Sequence, residues 1–198
     1  MAEPLSTQPS ALSTPYSDAV RELPGDVERR PLALVGFMGI GKTTVGGELS
    51  RRLGWPLLDT DSQVETRSNM TIREIFDWFG EPRFRELEHE VIAAEASRQR
   101  RILSLGGGAF IQDANRQLLL ERCTVVYLAA PWSHVSRTIQ RLKNTRPLLR
   151  GRSISDLQQL FDSRHPFYDQ AHIRVSVPGR NPAQVATRLL ELAGLSPL

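Results

Sequence analysis

The chain has a single cysteine and no long apolar run, and each shortage excludes a class of protein. Cys123 is the only cysteine among the 198 residues, so an internal disulfide and a multi-cysteine metal site are both excluded. It precedes the apolar residues 125–128, so we expect it to pack as a small side chain at the edge of a strand. No apolar run approaches the roughly 18 residues of a membrane span, so we expect no membrane partner. Sparing use of cysteine fits a reducing cytoplasm, where we expect the protein to work.

The chain also lacks a strong charge of either sign. Its 25 basic and 22 acidic residues give a formal charge of +3. Residues 1–30 hold three arginines and five acids, a sum of −2, so the remainder carries +5. This excess is too small for a nucleic-acid-binding stripe, and we expect no nucleic-acid partner. Most of the cations are arginines, which suit carboxylates and phosphates, so the balance fits a small anionic substrate beside a nucleotide.

Residues 1–30 have the composition of a tail. They contain four prolines, several Ser and Thr, and no sustained apolar period. Such a segment buries too little apolar surface to offset its ordering entropy, so we predict that it is disordered. It lacks the apolar stretch of a secretory signal, and its acids argue against an organellar transit peptide. The pattern assigns this segment no function.

From residue 31 onward, short apolar runs alternate with helical patterns, which indicates parallel strands joined by helical crossovers. We therefore predict one α/β domain over residues 31–198, with three layers and helices on both faces of the sheet. Thr71 and Glu74 form a capping box, and Asn181 with Pro182 marks another helix start. The predicted strands are 32–36, 56–59, 102–105, 124–128 and 173–177. The predicted helices are 42–53, 71–79, 83–98, 113–122, 132–142, 155–164 and 182–192.

Residues 36–43 match the phosphate-binding pattern G-x-x-x-x-G-K-[ST]. An apolar run precedes them and a helical run follows, which favours a phosphate loop over a glycine-rich turn without a ligand. The glycines let successive N–H groups point at an anion, and the next helix aims its positive end at the same spot. Lys42 would reach the β- and γ-phosphates, and the Thr43 hydroxyl would face Mg²⁺. The residues predicted to bind the nucleotide here are Gly39, Ile40, Gly41, Lys42, Thr43 and Thr44.

Two further segments follow predicted strands, at the edge where an open parallel sheet binds its ligands. Asp59 and Asp61 end the second strand and would point the same way in an extended chain. Carboxylates beside a transferring phosphate hold Mg²⁺ through water or accept a proton from the attacking hydroxyl. Asp61 could instead cap a helix starting near Ser62. The third strand is followed by Gly106, Gly107 and Gly108, which suit either a close backbone approach to a ligand or a flexible turn.

Three arginines stand in distinctive settings, although any one arginine is by default a solvated surface charge. Arg85 lies near the start of a long helix, Arg164 precedes His-Pro-Phe-Tyr, and Arg146 precedes Pro-Leu-Leu. Residues 143–155, around Arg146, are polar and rich in cations. That composition suits a mobile lid that closes over a triphosphate and excludes water.

Taken together, these motifs resemble the shikimate kinase family over residues 31–193. The resemblance implies a phosphate-loop fold with a five-stranded parallel sheet, a substrate-binding insertion at about 61–90 and a lid at about 143–156. It implies transfer of the γ-phosphate of MgATP to the 3-hydroxyl of shikimate, on the route to chorismate and the aromatic amino acids. Gly47 departs from the pattern, since many members carry arginine there.

The family pattern also implies residue roles. Asp61 would hold the reacting hydroxyl, with Lys42 and Arg146 as the other catalytic residues, and Arg146 would reach the phosphates. Asp59 would hold Mg²⁺ through water and Thr43 would hold it directly. Asn181 and Pro182 would lie near the adenine, with either Arg137 or Arg141 against it. The residues implied to bind shikimate are Asp61, Arg85, Gly106, Gly107, Gly108 and Arg164.

Two other functions are compatible with parts of the pattern. A related kinase could act on another small polyol acid such as gluconate, although the arginine pair and the triple glycine argue against it. A nucleotide-dependent switch would bind ATP without a small substrate, and it would not need Asp61, Arg85 and Arg164 in one pocket. We expect a monomer whose ligands are shikimate, ATP and Mg²⁺.

Overall fold

The structure is a computed structural model that describes residues 16–142 and 153–198, the side chains of residues 140–142 excepted. The strands are β1 (Ala19–Val20), β2 (Leu32–Val35), β3 (Leu57–Asp59), β4 (Ile102–Ser104), β5 (Thr124–Ala129) and β6 (Ile173–Ser176). The helices are α1 (Lys42–Leu53), α2 (Thr60–Ser68), α3 (Ile72–Ala96), α4 (Asp113–Arg122), α5 (Trp132–Leu142), α6 (Ile154–Tyr168) and α7 (Pro182–Ala193), with a short 3-10 helix at Ala109–Ile111.

Within these residues the strands form one sheet in the order β1-β6-β5-β2-β4-β3. The five longer strands run parallel, and β1 pairs antiparallel with β6 at the edge. The predicted α/β fold with five parallel strands is confirmed, and the sixth strand was not predicted. Both β2 and β5 are buried along their whole length, which explains why they read as continuous apolar runs rather than alternating ones.

Helices cover the sheet and enclose a continuous apolar core. Helix α1 packs against α7, and α3 packs against α4. The core includes residues of β2, β4, β5 and β6 together with Leu49 of α1 and Leu189 of α7, both completely buried, and the leucines of β3 pack against it. Cys123 is buried at the start of β5, as expected, and burial raises the pKa of its thiol to about 12. No helix in the described part of the chain combines the length and the apolarity that crossing a membrane requires.

The prediction of a disordered tail over residues 1–30 is wrong for residues 16–30. Residues 19–20 form β1, where Ala19 pairs with Arg174 and Val20 with Ile173. The ring of Tyr16 meets that of His165 edge to face at 5.3 Å. The composition argument counted only apolar surface, whereas hydrogen bonds and ion pairs to the sheet edge hold this segment. Residues 1–15 lie outside the described residues.

The predicted substrate-binding insertion contains α2 and α3. Helix α3 is interrupted at Gly80, whose φ of 78° and ψ of 176° are not helical, so the two predicted helices 71–79 and 83–98 correspond to its two arms. The capping box of Thr71 and Glu74 is present at its start. Helix α2 is missing from the predicted helices and was considered only as the alternative in which a helix starts near Ser62, because only Thr60 and Val64 are buried in it and its apolar pattern is weak.

Candidate active site

Three polar segments meet at one edge of the sheet. The phosphate loop follows β2, Asp59 ends β3, and the triple glycine comes shortly after β4. Strand β4 lies between β2 and β3 and is parallel to both, so the carboxyl ends of the three strands are adjacent. The expectation that these segments converge is confirmed, and the geometry of each is described below.

The phosphate loop has the backbone that its glycines predict. Gly36, Gly39 and Gly41 have φ values of 143°, 78° and 100°, which side-chain-bearing residues rarely adopt. A Cβ at Gly36 would lie 2.9 Å from the carbonyl oxygen of Leu128, so space as well as φ requires glycine there. The Lys42 ammonium donates to the carbonyl oxygens of Gly36 at 2.8 Å and Phe37 at 3.2 Å. It therefore spans the loop at the start of α1, where the helix dipole also favours an anion.

Three oxygens beside the phosphate loop form a compact triangle. The Thr43 hydroxyl donates to Oδ2 of Asp59 at 3.0 Å and lies 3.0 Å from the Ser104 hydroxyl, which is 3.2 Å from the same Oδ2. Adjacent ligands of an octahedral Mg²⁺ with bonds of about 2.1 Å are also roughly 3 Å apart. The residues present therefore fit Mg²⁺ at this place, while the predicted roles of Thr43 as a direct ligand and of Asp59 as a ligand through water stay predictions. Ser104 was missed, although a serine inside the apolar run 102–105 is a visible signal.

Asp59 and Asp61 are close, but not for the reason that the sequence suggested. Strand β3 ends at Asp59 and α2 begins at Thr60, so Asp61 lies in the first turn of a helix and not in an extended chain. The backbone N–H of Ser62 donates to Oδ1 of Asp59 at 3.3 Å, which makes Asp59 the cap of α2 and overturns the alternative in which Asp61 is the cap. Burial raises the pKa of Asp61, as does the neighbouring Asp59, while Lys42 and Arg85 oppose the rise. Asp61 is thus a partly buried carboxylate whose affinity for a proton is increased.

The triple glycine makes room for the three predicted substrate residues. A Cβ at Gly106 would lie 2.5 Å from Oδ1 of Asp61, and a Cβ at Gly108 would lie 2.8 Å from Nη2 of Arg85. A Cβ at Gly107 would lie 3.4 Å from Nη1 of Arg164. The alternative of a flexible turn is therefore wrong, because each glycine faces one functional side chain. The backbone of Gly106 is also fixed, since its N–H donates to the Thr60 hydroxyl at 3.0 Å.

A buried carboxylate orients Arg85. Nη1 of Arg85 donates to Oε2 of Glu88 at 2.7 Å, and Nη2 donates to Oε1 of Glu81 at 2.9 Å. Glu88 is 1% exposed, and its Oε1 has no hydrogen-bond partner among the residues that the structure describes. Burial raises the pKa of Glu88 even though Arg85 lowers it, and Asp61 raises it further. The sequence assigned Glu88 no role, and the structure shows that it fixes the guanidinium of Arg85.

Arg164 lies on the opposite side of the glycine loop. Its Nη1 donates to the carbonyl oxygen of Gly107 at 3.1 Å, and the hydroxyl of Tyr168 donates to the same oxygen at 2.5 Å. The guanidinium carbon is 5.8 Å from the centroid of the Phe37 ring in the phosphate loop. The last turn of α6 therefore contacts both the glycine loop and the phosphate loop, and Tyr168 is a further residue of the site whose role the sequence did not reveal.

The other predicted site residues lie away from the glycine loop or outside the described residues. Asn181 caps α7 in a capping box with Gln184, and Pro182 is the first residue of that helix, at the carboxyl end of β6. Nε of Arg137 donates to the carbonyl oxygen of Ser133 in its own helix at 3.0 Å. The side chain of Arg141 and residues 143–152 of the predicted lid, which include Arg146, lie outside the described residues.

The family model for shikimate kinase matches residues 38–193. The chain belongs to the shikimate kinase family. Membership makes it an ATP-dependent phosphotransferase that works with Mg²⁺, in agreement with the phosphate loop and the oxygen triangle.

Individual shikimate kinases align along most of their length. The curated protein from Bacillus subtilis (strain 168) is 38% identical over 175 residues, covering 88% of this chain and 93% of that protein. The one from Novosphingobium aromaticivorans is 44% identical over 169 residues, covering 81% and 86%. The solved structure of shikimate kinase from Acinetobacter baumannii in complex with shikimate is 36% identical with a TM-score of 0.74, and the match covers 82% of this chain and 92% of that one.

Proposed function

We propose that this protein transfers the γ-phosphate of MgATP to the 3-hydroxyl of shikimate, giving shikimate 3-phosphate and ADP. The observation that carries the proposal is the convergence of Asp61, Arg85 and Arg164 on one glycine loop beside the phosphate loop. The reaction belongs to the route that leads to chorismate and the aromatic amino acids. A nucleotide-dependent switch would not need this second group of polar side chains beside its nucleotide site.

Arg85 and Arg164 account for recognition of the substrate carboxylate. They approach the glycine loop at Gly108 and Gly107, and each guanidinium offers paired donors that match a carboxylate. Glu88 restrains Arg85, and the carbonyl oxygen of Gly107 restrains Arg164. Both arginines are thus oriented before the substrate arrives, which lowers the entropy lost on binding. Because residues 106–108 are glycines, the hydroxyl groups of the substrate can come close to their backbone.

Asp61 is the residue proposed to hold and deprotonate the reacting hydroxyl. Its pKa is raised by burial, and a base whose pKa is closer to the working pH accepts a proton more readily. Lys42 is close enough to oppose that rise, so the carboxylate is near the cation assigned to the β- and γ-phosphates. The acceptor oxygen and the terminal phosphorus would therefore be held side by side, which is most of what phosphoryl transfer asks of a protein.

The phosphate loop and the oxygen triangle account for the nucleotide side. N–H groups of Gly39, Ile40, Gly41 and Thr44 would donate to phosphate oxygens at the start of α1. Thr43 would hold Mg²⁺ directly and Asp59 through water, and the ion neutralises phosphate charge when bound. Arg146 as a further cation on the phosphates, and Asn181 and Pro182 beside the adenine, complete the proposed nucleotide contacts.

A direct assay tests the function. ATP consumption is measured with shikimate, with gluconate and with neither, and the product is checked by mass spectrometry. Stimulation by shikimate alone, with one phosphate added, supports the proposal. Stimulation by gluconate would identify a kinase for another polyol acid, and slow turnover indifferent to both acids would identify a nucleotide switch.

We also propose that the enzyme is a monomer in the cytoplasm. A single family domain contains all the described parts of both proposed ligand sites, so catalysis needs no second copy. Multi-angle light scattering at the concentration used for the assay distinguishes a monomer of 22.2 kDa from a dimer. A stable dimer would contradict this part of the proposal.

A further inference from the structure

The N-terminal segment contributes one carboxylate that is unusually well bonded. Asp18 accepts from Nη1 of Arg180 at 2.8 Å and from Nη2 at 2.9 Å, a paired contact to both of its oxygens. Nε of Arg188 donates to the same carboxylate at 2.9 Å, and the backbone N–H of Ser176 donates at 2.8 Å. Burial alone would raise the pKa of Asp18, but these donors hold it well below its ordinary value. The carboxylate therefore stays charged throughout the physiological range.

The partners of Asp18 surround the loop between β6 and α7, residues 177–181. Arg180 directly precedes Asn181, and its Nη1 also donates back to the carbonyl oxygen of Ser176 at 2.8 Å. Gly179, with a φ of 76°, turns the loop. The start of the loop is held by the burial of Val177 in the core and by its N–H, which donates to the carbonyl oxygen of Ala129 at 2.9 Å. Its far end is held by the pairing of Arg180 with Asp18.

This loop delivers Asn181 and Pro182 to the edge of the sheet where the nucleotide binds. Helix α7, which it starts, is tied to α1 by Arg52, whose guanidinium donates to the carbonyl oxygen of Ala183 at 3.0 Å and to the hydroxyl of Thr187 at 2.7 Å. Because α1 directly follows the phosphate loop and α7 directly follows residues 177–181, the contact between the two helices connects the two loops. A shift at Arg180 would move the Asn181–Pro182 step relative to the phosphates.

The segment that carries Asp18 is itself fixed, and it lies outside residues 38–193 that the family model matches. Nε of Arg174 donates to the carbonyl oxygen of Ser17 at 2.8 Å, and Tyr16 packs on His165. Strand β1 then continues the sheet. The clamp is therefore supplied by a part of this chain that the shared family pattern does not include.

We propose that Asp18 is a positioning residue for the nucleotide: by clamping Arg180 it holds residues 177–181 in the conformation that receives the adenine. The proposal rests on the function proposed above, specifically on Asn181 and Pro182 facing the adenine. Asp18 does not touch the reacting atoms, and its effect is confined to the nucleotide side of the site. Preorganising a loop in this way improves affinity because less ordering is required on binding.

The test compares the affinity for nucleotide with the KM for shikimate and with kcat. For Asp18→Ala we expect the KM for MgATP and the dissociation constant for MgADP to rise about tenfold, as expected when a preorganised loop is released. The KM for shikimate and kcat at saturating ATP should stay within about twofold of wild type, because the proposed contacts of the acid do not involve this loop. The dissociation constant is measured by calorimetry without shikimate, so it tests the clamp even if shikimate proves not to be the substrate.

Glu95→Gln is the matched control. Like Asp18, Glu95 is a carboxylate surrounded by arginines, with Arg67 at 3.3 Å and Arg101 at 3.4 Å, but it lies at the amino end of the sheet, far along the chain from residues 177–181. It should lose stability without changing nucleotide affinity. The proposal is overturned if Asp18→Ala leaves nucleotide affinity within twofold of wild type, or if both variants weaken it equally. Should Asp18→Ala fail to fold, the same comparison is made with Asp18→Asn, which retains an acceptor for Ser176.

Discussion

The carboxylate of Asp61 lies against the Cα of Gly106, so closely that a Cβ on this glycine would be 2.5 Å from Oδ1 and 3.0 Å from Oε1 of Glu88. Real Cβ atoms do not approach oxygens so closely, and one of the groups would have to move. Glu88 is buried and bonded to Arg85, so Asp61 is the group with freedom to yield. The absence of a side chain at Gly106 therefore allows the carboxylate of Asp61, the proposed base, to occupy its observed position.

Gly106→Ala is expected to reduce kcat at least tenfold, because it displaces Asp61 from the reacting hydroxyl. The affinity for MgADP should change little, since the phosphate loop is untouched. Gly47→Ala is the control: a Cβ there meets nothing within 4 Å, and it should stabilise α1 by about 0.5–1 kcal/mol without changing kcat. Steady-state kinetics and thermal unfolding of both variants check the prediction. A normal rate in Gly106→Ala would mean that Asp61 is not positioned by this contact.

Asp61→Asn should lower kcat roughly a hundredfold or more and leave nucleotide affinity near that of wild type. It removes the proton acceptor while keeping the size of the side chain. Single-turnover kinetics at saturating shikimate and ATP measure the loss directly. A near-normal rate would remove Asp61 from the chemistry and leave the cleft without a base.

The same substitution should stabilise the folded protein at neutral pH. Folding raises the pKa of Asp61 above its ordinary value of 3.8, so the native state binds more protons than the unfolded state between the two values. The contribution of Asp61 to the free energy of unfolding is therefore fully present below pH 3.8. It falls as the pH rises from 3.8 through the higher pKa of the folded protein, and it stays reduced at higher pH. The Asn variant avoids this loss, so its gain in melting temperature should be larger at pH 7 than near pH 4. A gain independent of pH would point to a cause other than charge burial.

Arg85→Ala should raise the KM for shikimate at least tenfold with a smaller effect on the KM for ATP, because it removes one side of the carboxylate grip. It also leaves Glu88 buried without its cation, so a loss of stability is expected as well. Arg83→Ala, two residues from Arg85, removes an exposed ion pair with Glu86; it controls for general helix effects and should leave both constants unchanged. If Arg85→Ala keeps a normal KM for shikimate, the acid binds elsewhere.

Asp59→Asn should raise the Mg²⁺ concentration needed for half-maximal activity several-fold, because it weakens the oxygen triangle with Thr43 and Ser104. Titration of activity with Mg²⁺ at fixed ATP measures the shift. Asp77→Asn provides the comparison, since that carboxylate is exposed in α3 and pairs only with Arg73 among the described residues. An unchanged Mg²⁺ requirement in Asp59→Asn would assign Asp59 to capping α2 alone.

Much of the site could be predicted because its chemistry is carried by short motifs. The phosphate loop, Asp59 and the triple glycine were predicted to meet because each follows a strand of one parallel sheet, and they do. The sheet's sixth strand and the order of residues 16–30 were missed, since local composition does not reveal that Asp18 has Arg180 and Arg188 as distant partners. Predictions that fall on residues 143–152, Arg146 among them, stay predictions.

The sequence by itself determined the phosphate loop, the parallel strands and the identity of the residues available for catalysis, because backbone geometry and strand order follow from local patterns of glycine and apolar side chains. Only the tertiary structure decided that Asp59 caps a helix while Asp61 lies against Gly106, that Glu88 orients Arg85, and that Tyr168 holds Gly107. Asp61 and Gly106 are 45 positions apart and Tyr168 and Gly107 are 61 apart, and even the short-range pairing of Glu88 with Arg85 depends on which side chains are packed together. Burial and hydrogen bonding across such distances are properties of the packed chain, not of any segment within it.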